Sequence, residues 1–294
     1  MRCLSISKSN QVGERRLCPH SRPKLVFYEP QRCEVISGVS DLLEAEGYLL
    51  SVLDSQDDPE RQRRQLEAFI RSSRGGLLWV PAHDTPQETF DLLRNHRIPT
   101  VTFLRRESAT DFDHVGILNV DATKTATNYL ADLGHRHIAF LGGVADVEVR
   151  NQRIAGYKAV LAERNLGPAI IWESPDDKPS GLNAMTALRE AHPEVSGVVC
   201  NGDMVALGAC LALARMGQTP GEDVSVIGFD DIQDAAVATP PLTTMAVSPY
   251  RLGRRLARVL LERIREPETP VAVSEISAEL IVRETSGSCV DSTN

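Results

Sequence analysis

Four charged side chains follow predicted strands and could together bind a small ligand. Asp121, Arg153, Asp203 and Asp230 each come just after an apolar, strand-like run or on the helix that follows it. In a parallel sheet such positions lie along the carboxyl edge, where ligands bind. Arginine offers planar paired donors and aspartate accepts hydroxyl protons, so this set suits a polyhydroxylated ligand. The alternative for Asp121 and Asp203 is a role as helix N-caps, because each begins a predicted helix.

Nucleotide, metal and catalytic motifs fit this sequence poorly. Gly142-Gly143 follows a strand, but no third glycine completes the dinucleotide-binding fingerprint. His135 and His137 have no neighbouring cysteine or carboxylate with which to hold a metal. The sequence has no GxSxG, HExxH or phosphate-loop motif. We therefore expect no cofactor, no metal and no enzymatic activity, with an α/β enzyme as the third hypothesis.

The elements around these residues alternate between strand and helix. In the clearest stretch, an apolar run at 197–200 precedes a predicted helix at 204–216 and a second apolar run at 224–228. Such alternation, with strands that are apolar throughout, predicts parallel sheets covered by helices on both faces. Residues 1–23 show neither the helical nor the strand periodicity of apolar residues and are predicted to be an unstructured leader.

Composition excludes several classes of protein. The 294 residues have a net charge of −8 and a sequence pI of about 5.5, so the chain lacks a general electrostatic footprint for nucleic acid. No apolar run approaches the roughly 18 residues of a membrane span. The first thirty residues are polar and basic without an apolar signal-peptide core. We therefore expect a cytoplasmic protein.

Seven ordered segments resemble the effector-binding core of the LacI/GalR family of bacterial transcription regulators. The resemblance spans about residues 34–285. The segments are Asp121, 133–143 (LGHRHIAFLGG), 153–157 (RIAGY), 203–208 (DMVALG), 224–231 (VSVIGFDD), 240–244 (PPLTT) and 280–285 (LIVRET).

The resemblance implies a periplasmic-binding-protein fold of type I. This is an α/β fold with two doubly wound parallel-sheet lobes, three crossovers between them, and a small effector, usually a sugar, bound in the interlobe cleft. The expected parts are a leader (1–23), an N-lobe (24–133 plus 246–268), a C-lobe (134–245 plus 269–285) and a tail (286–294).

The resemblance also implies ligand contacts. The family's arginine falls on Arg153, its aspartates on Asp121 and Asp230, and the contact after the first lobe's fourth strand on Arg105. Gly156, three residues after Arg153, would let the helix pack closely. An exposed cleft position predicts that Arg153→Lys weakens binding but changes stability far less. The full candidate ligand-binding set is Arg153, Asp230, Asp121, Arg105, Asp203, Phe229 and Trp172.

Two departures from the family limit the functional hypothesis. Nothing in residues 1–33 resembles the family's helix-turn-helix domain, and the first strand with its loop, around Lys24 to Cys33, matches the family poorly. A smaller departure is Gly202, which stands where many relatives have asparagine. The leading hypothesis is a sugar sensor of a repressor lineage. We expect a homodimer, because relatives pair through their lobes, and we expect operator DNA as a partner only if a helix-turn-helix domain is present in the full gene product. The alternative is a solute-binding protein of a transport system, which would need a secretory signal.

Overall fold

The computed structural model describes residues 3–8, 30–72, 75–105, 111–145 and 147–289. Its strands, in chain order, are β1 (Cys3–Lys8), β2 (Tyr48–Leu53), β3 (Leu77–Trp79), β4 (Thr100–Phe103), β5 (Asp113–Ile117), β6 (Ile138–Leu141), β7 (Ile170–Trp172), β8 (Gly197–Cys200), β9 (Ser225–Asp230), β10 (Thr243–Ala246), β11 (Val273–Ile276) and β12 (Glu279–Ile281).

Helices alternate with these strands, as the sequence predicts for an α/β protein. Within the described residues, no helix is both long and apolar enough to cross a membrane. The helices are α1 (Pro30–Ala45), α2 (Pro59–Ser72), α3 (Gln87–Asn95), α4 (Asn119–Asp132), α5 (Glu148–Glu163), α6 (Lys178–Ala191), α7 (Asp203–Arg215), α8 (Gln233–Val237) and α9 (Pro249–Arg265).

The chain divides into two compact units. The first comprises residues 1–116 and 248–275, and the second comprises residues 117–247 and 276–294. The chain therefore passes between units three times. The first passage falls before α4 rather than after it, and the third follows residue 275 rather than 268, so these bounds differ from the ones expected for the lobes. Helix α4 belongs to the second unit because it packs on α5.

The sheet of the first unit has the order β11-β5-β4-β3-β1-β2. The β3–β4 and β4–β5 pairs are parallel, whereas β1 is antiparallel to both β2 and β3. The expected leader therefore includes a strand, and the alternation of Leu4, Ser5, Ile6 and Ser7 is the strand period that the interpretation missed. The start of the predicted N-lobe at residue 24 lies outside the described residues.

The sheet of the second unit has the order β12-β10-β9-β8-β6-β7. The β6–β7, β6–β8, β8–β9 and β9–β10 pairs are parallel, whereas β10–β12 is an antiparallel pair at one edge. Strands β6 and β8 are buried along their whole length, because α4 and α5 cover one face and α6 and α7 the other. The parallel order brings the carboxyl ends of β6, β8 and β9 to one edge.

Close helix packing fixes the middle of α5 against the start of α4. A Cβ atom on Gly156 would lie 2.3 Å from the Val120 carbonyl oxygen, so only glycine fits there. This confirms the close approach predicted from the sequence. Because Arg153 precedes Gly156 by three residues on the same helix, the contact also fixes the position of Arg153.

The expected tail is partly bound to the second unit through a buried histidine. His135 Nε2 lies 3.0 Å from the Gly287 carbonyl oxygen, to which it must donate, so Nδ1 accepts from Ser196 Oγ at 2.9 Å. The Cys289 amide donates to the Leu133 carbonyl at 2.9 Å. Residues 286–289 are therefore part of the fold rather than a free tail.

Burial lowers the pKa of His135, and this predicts a loss of stability in acid. The unfolded imidazole takes up a proton near pH 6.5, whereas the folded one resists it, so the unfolded state binds more protons as the pH falls. We expect the free energy of unfolding to fall below about pH 6.5, by at most about 1.4 kcal/mol per pH unit. Urea titrations between pH 5 and 8 measure this dependence of the free energy of unfolding on pH. A His135→Gln variant should lack this component, and an unchanged slope in that variant would contradict the assignment.

Candidate functional site

Arg153 lies at the carboxyl edge of the second unit's sheet and is 6% exposed. Its Nε donates to Asn119 Oδ1 at 3.0 Å, and its Nη1 donates to the Asn201 carbonyl. Its Nη2 lies 3.8 Å from Asp230 Oδ1. Burial lowers the pKa of Arg153, and the carboxyl groups of Asp230, Asp176 and Asp203 oppose that change. The guanidinium remains charged, because arginine is not deprotonated in proteins.

Phe229 and Asp230, the last two residues of β9, complete the surroundings of Arg153. The guanidinium carbon lies 3.5 Å from the centroid of the Phe229 ring, a close cation–π contact. Phe229 is buried, whereas the Asp230 side chain is 41% exposed. The structure thus brings together three of the residues predicted from the sequence, which are Arg153, Phe229 and Asp230.

Asn201, at the end of β8, belongs to the same cluster and was missing from the predicted set. Its Nδ2 donates to both carboxylate oxygens of Asp176, at 3.0 and 2.9 Å. Its Oδ1 is buried and has no hydrogen-bond partner among the described residues. The sequence signal for Asn201 is its place directly after the apolar run 197–200, but an Asn-Gly pair there is equally typical of a turn. Asp176, an exposed residue before α6, had no comparable signal.

Asp203 is close to this cluster but is not an N-cap. Helix α7 begins at Asp203 itself, and Gly202 is the N-cap residue. The Asp203 carboxyl is 1% exposed and accepts from Thr244 Oγ1 and from the Ile232 amide. Burial, and after it Asp230, raises the pKa of Asp203 to about 8. Both of its oxygens are therefore occupied by the protein.

Asp121 does not lie beside Arg153, where it was expected as a ligand contact. It is exposed in the first turn of α4, which begins at Asn119 with Leu118 as its N-cap residue, so the N-cap interpretation is wrong as well. Asn119 takes the expected place beside Arg153 and also donates from Nδ2 to Gln152 Oε1 at 2.9 Å. The sequence signal for Asn119 was present, because asparagine is common at helix starts.

Two further predicted residues have other partners. Arg105 belongs to the first unit, where its Nη1 and Nη2 donate to the two carboxylate oxygens of Asp57 at 2.6 and 3.2 Å. Trp172 packs on the core formed with α6 and α7, and its ring meets the His192 ring edge-on at 6.3 Å. The Trp172 ring thus contacts the end of α6 rather than Arg153, because the side chain leaves β7 on the face that α6 covers.

The cluster has the chemistry of a binding site for hydroxyl groups. The 3.8 Å between Arg153 Nη2 and Asp230 Oδ1 exceeds a hydrogen bond, so a ligand hydroxyl can accept from the former and donate to the latter. The buried Asn201 Oδ1 can accept from a second hydroxyl. No group of three or more His, Cys, Asp or Glu residues in the described part of the chain could hold a metal ion.

Known proteins are similar to this chain both in sequence and in fold. A family model for a periplasmic binding protein-like domain matches residues 127–286. The HTH-type transcriptional repressor PurR of Haemophilus influenzae (strain PittEE) is 30% identical over 260 residues, which are 87% of this chain and 77% of that repressor.

Solved structures of regulators agree with these matches. The transcriptional regulator CelR in its cellobiose complex is 28% identical, with a TM-score of 0.78 over 87% of this chain and 79% of that one. A LacI family transcriptional regulator from Enterococcus faecium with bound ribose is 23% identical, with a TM-score of 0.75 over 89% and 96% of the two chains, and shares the fold. The chain therefore belongs to the LacI family of transcriptional regulators and has the effector-binding, periplasmic-binding-protein-like core of that family.

Proposed function

We propose that this chain senses a sugar or sugar derivative, which binds at the Arg153 cluster and thereby changes the activity of a transcription regulator. The observation that supports the proposal is the 3.8 Å separation of Arg153 Nη2 and Asp230 Oδ1, together with Asn201 Oδ1, which has no hydrogen-bond partner in the part of the chain that the structure describes. A buried donor, an exposed carboxylate and a buried acceptor suit adjacent hydroxyl groups. The cellobiose complex of CelR, 28% identical, supports a sugar rather than another ligand.

The ligand is bound and released without chemical change in this proposal. A ligand shifts a regulator between conformations only by binding one of them more tightly. The relatives reported above are regulators, which supports a sensor over an enzyme. The cytoplasmic location and the homodimer expected from the sequence remain predictions. Exposed apolar side chains on or just after α7, such as Met204, Leu211 and Met216, support the homodimer.

Calorimetric titration of the purified chain with a panel of neutral sugars and sugar acids, including ribose and cellobiose, tests the proposal. We expect saturable binding of at least one sugar, and we expect that sugar to be recovered unchanged after long incubation. The control is Asp132→Asn, because Asp132 lies at the opposite end of α4 from Asn119 with a side chain that is 65% exposed, so its loss should leave binding at the parent value. Binding of no sugar in the panel, or conversion of the bound sugar, would contradict the proposal.

A further inference from the structure

A buried carboxyl group joins three elements below the Arg153 cluster. Asp203, the first residue of α7, accepts from Thr244 Oγ1 of β10 at 2.6 Å and from the Ile232 amide at 2.8 Å. Gly228 of β9 leaves the space for this group, since a Cβ atom there would lie 2.1 Å from Asp203 Oδ1. The carboxyl therefore connects α7 to β10 and to the turn that follows β9.

That turn has an unfavourable backbone. Asp230 has a φ of +105° and Asp231 a φ of +52°, and residues other than glycine rarely adopt such angles. Two hydrogen bonds hold this turn in place, one at Asp231 and one at Ile232. Arg283 Nη2 donates to Asp231 Oδ1 at 2.8 Å, and the Ile232 amide donates to Asp203 Oδ2. Strained conformations of this kind persist only where the surroundings over-determine them.

We propose that Asp203 is a positioning residue, which holds the turn after β9 through the Ile232 amide and so keeps the Asp230 carboxylate beside Arg153. The proposal rests on the proposed function, because it makes ligand affinity at the Arg153 cluster depend on Asp203. Asp203 acts through Asp230 rather than by touching the ligand, since it is 1% exposed and both its oxygens are already bonded.

The charge of Asp203 matters to this role. Burial opposes the ionisation of Asp203, and so do the nearby carboxylates of Asp230 and Asp231. The hydrogen bonds from Thr244 and from the Ile232 amide favour the ionised form. Arg153 of α5 and the thiol of Cys200 in β8 also interact with it, and burial keeps that thiol protonated. With a pKa of about 8, Asp203 is mostly protonated at pH 7. Its Oδ1 can then either accept from the Thr244 hydroxyl, as in the structure, or donate to it, while Oδ2 still accepts from the Ile232 amide.

Ionisation should therefore weaken the site. Above about pH 8 a second carboxylate forms next to Asp230, and repulsion between the two favours displacement of the turn. An asparagine at position 203 imitates the neutral acid, because its amide oxygen can accept from Ile232 and its amide nitrogen can donate to Thr244. Alanine removes both bonds.

The first test needs no ligand. Hydrogen exchange at pH 7, read on peptides that span 229–237, should be about fivefold faster in Asp203→Ala than in the parent, the size expected for one lost hydrogen bond of about 1 kcal/mol. Asp203→Asn should exchange like the parent. Peptides of the first unit, such as 87–95, provide the internal control for general destabilisation. Parent-like exchange in Asp203→Ala would overturn the proposal, as would equal acceleration in both regions. If Asp203→Ala does not fold, the pH dependence of ligand binding in the parent and in Asp203→Asn tests the proposal instead.

The second test is the pH dependence of ligand binding, with ribose or cellobiose as the probe, whichever the parent binds in the titration above. Neither sugar has a group that titrates between pH 7 and 9. The dissociation constant of the parent should rise several-fold over this range, whereas that of Asp203→Asn should stay constant. The same rise in both proteins would overturn the role of Asp203. If the parent binds neither sugar, the proposed function fails for these probes, and the exchange measurement still decides the positioning role.

Discussion

Arg263→Met should lower the free energy of unfolding by about 3–5 kcal/mol, the usual effect of removing one partner from a buried ion pair. Arg263 Nε and Nη2 donate to the two oxygens of Asp113 at 2.8 and 2.7 Å, and the Asp113 side chain is only 2% exposed. Without Arg263 that carboxylate would be buried with the Ala272 amide as its one remaining hydrogen-bond donor among the described residues.

Arg263 also binds the segment that connects α9 to β11. Its Nη1 donates to the Pro267 and Thr269 carbonyls and its Nη2 to the Pro270 carbonyl, so one side chain holds the whole Pro-rich stretch 267–270. Its pKa is raised, chiefly by the hydrogen bond with Asp113. The loss of these contacts adds to the loss of the ion pair.

Urea unfolding of three variants measures this effect. Arg258→Met on the same helix is the control, because Arg258 is exposed and should change stability by no more than about 0.5 kcal/mol. Adding Asp113→Leu to Arg263→Met should recover part of the loss, because no uncompensated carboxylate then remains. A variant at position 263 as stable as the Arg258 control would disprove the contribution of this pair.

The sequence predicts the order of strands and helices, and with it the edge at which Arg153, Phe229 and Asp230 meet. That prediction succeeds because apolar strands followed by polar residues specify a parallel sheet and its carboxyl ends. It fails for Asp121 because α4 begins at Asn119, so that Asp121 lies two residues past the first residue of the helix rather than at its N-cap. Two residues turn a helix by about 200°, so Asn119 rather than Asp121 faces Arg153.

Other parts of the site depend on tertiary contacts that no local pattern contains. The bond from Asn201 to Asp176 joins residues 25 positions apart, and the partners of Asp203 come from two further elements. Trp172 ends a strand at the expected edge, but the face on which its ring packs is decided by α6. Spacing predicts which residues reach the edge, whereas packing decides which of them face one another.

Arg153→Lys should weaken binding of the sugar found by titration by about 1.5–3 kcal/mol, or roughly 10- to 150-fold. Lysine keeps the charge but loses the planar fork that bonds Asn119 and the Asn201 carbonyl while it faces Asp230. The contact of the guanidinium with the Phe229 ring is also lost or weakened.

The burial of Arg153 changes the expected effect of this variant on stability. From the sequence we expected little change, because the side chain was taken to be exposed. At 6% exposure, its replacement leaves Asn119 Oδ1 without a well-placed donor, which costs about 1–3 kcal/mol for each unsatisfied buried group. We therefore expect a loss of stability as well as a loss of affinity, and binding must be measured well below the melting temperature of the variant.

Asp230→Asn separates these two effects. The Asp230 side chain is 41% exposed, so the substitution should change stability by less than about 1 kcal/mol. It removes an anionic acceptor that a ligand hydroxyl would use, so affinity should fall by about 1.5–3 kcal/mol. The combination of a stable, weakly binding Asp230→Asn and a destabilised, weakly binding Arg153→Lys identifies the cluster as the ligand site. If both variants bind the sugar like the parent while Arg153→Lys melts earlier, Arg153 is a structural residue and the sugar binds elsewhere.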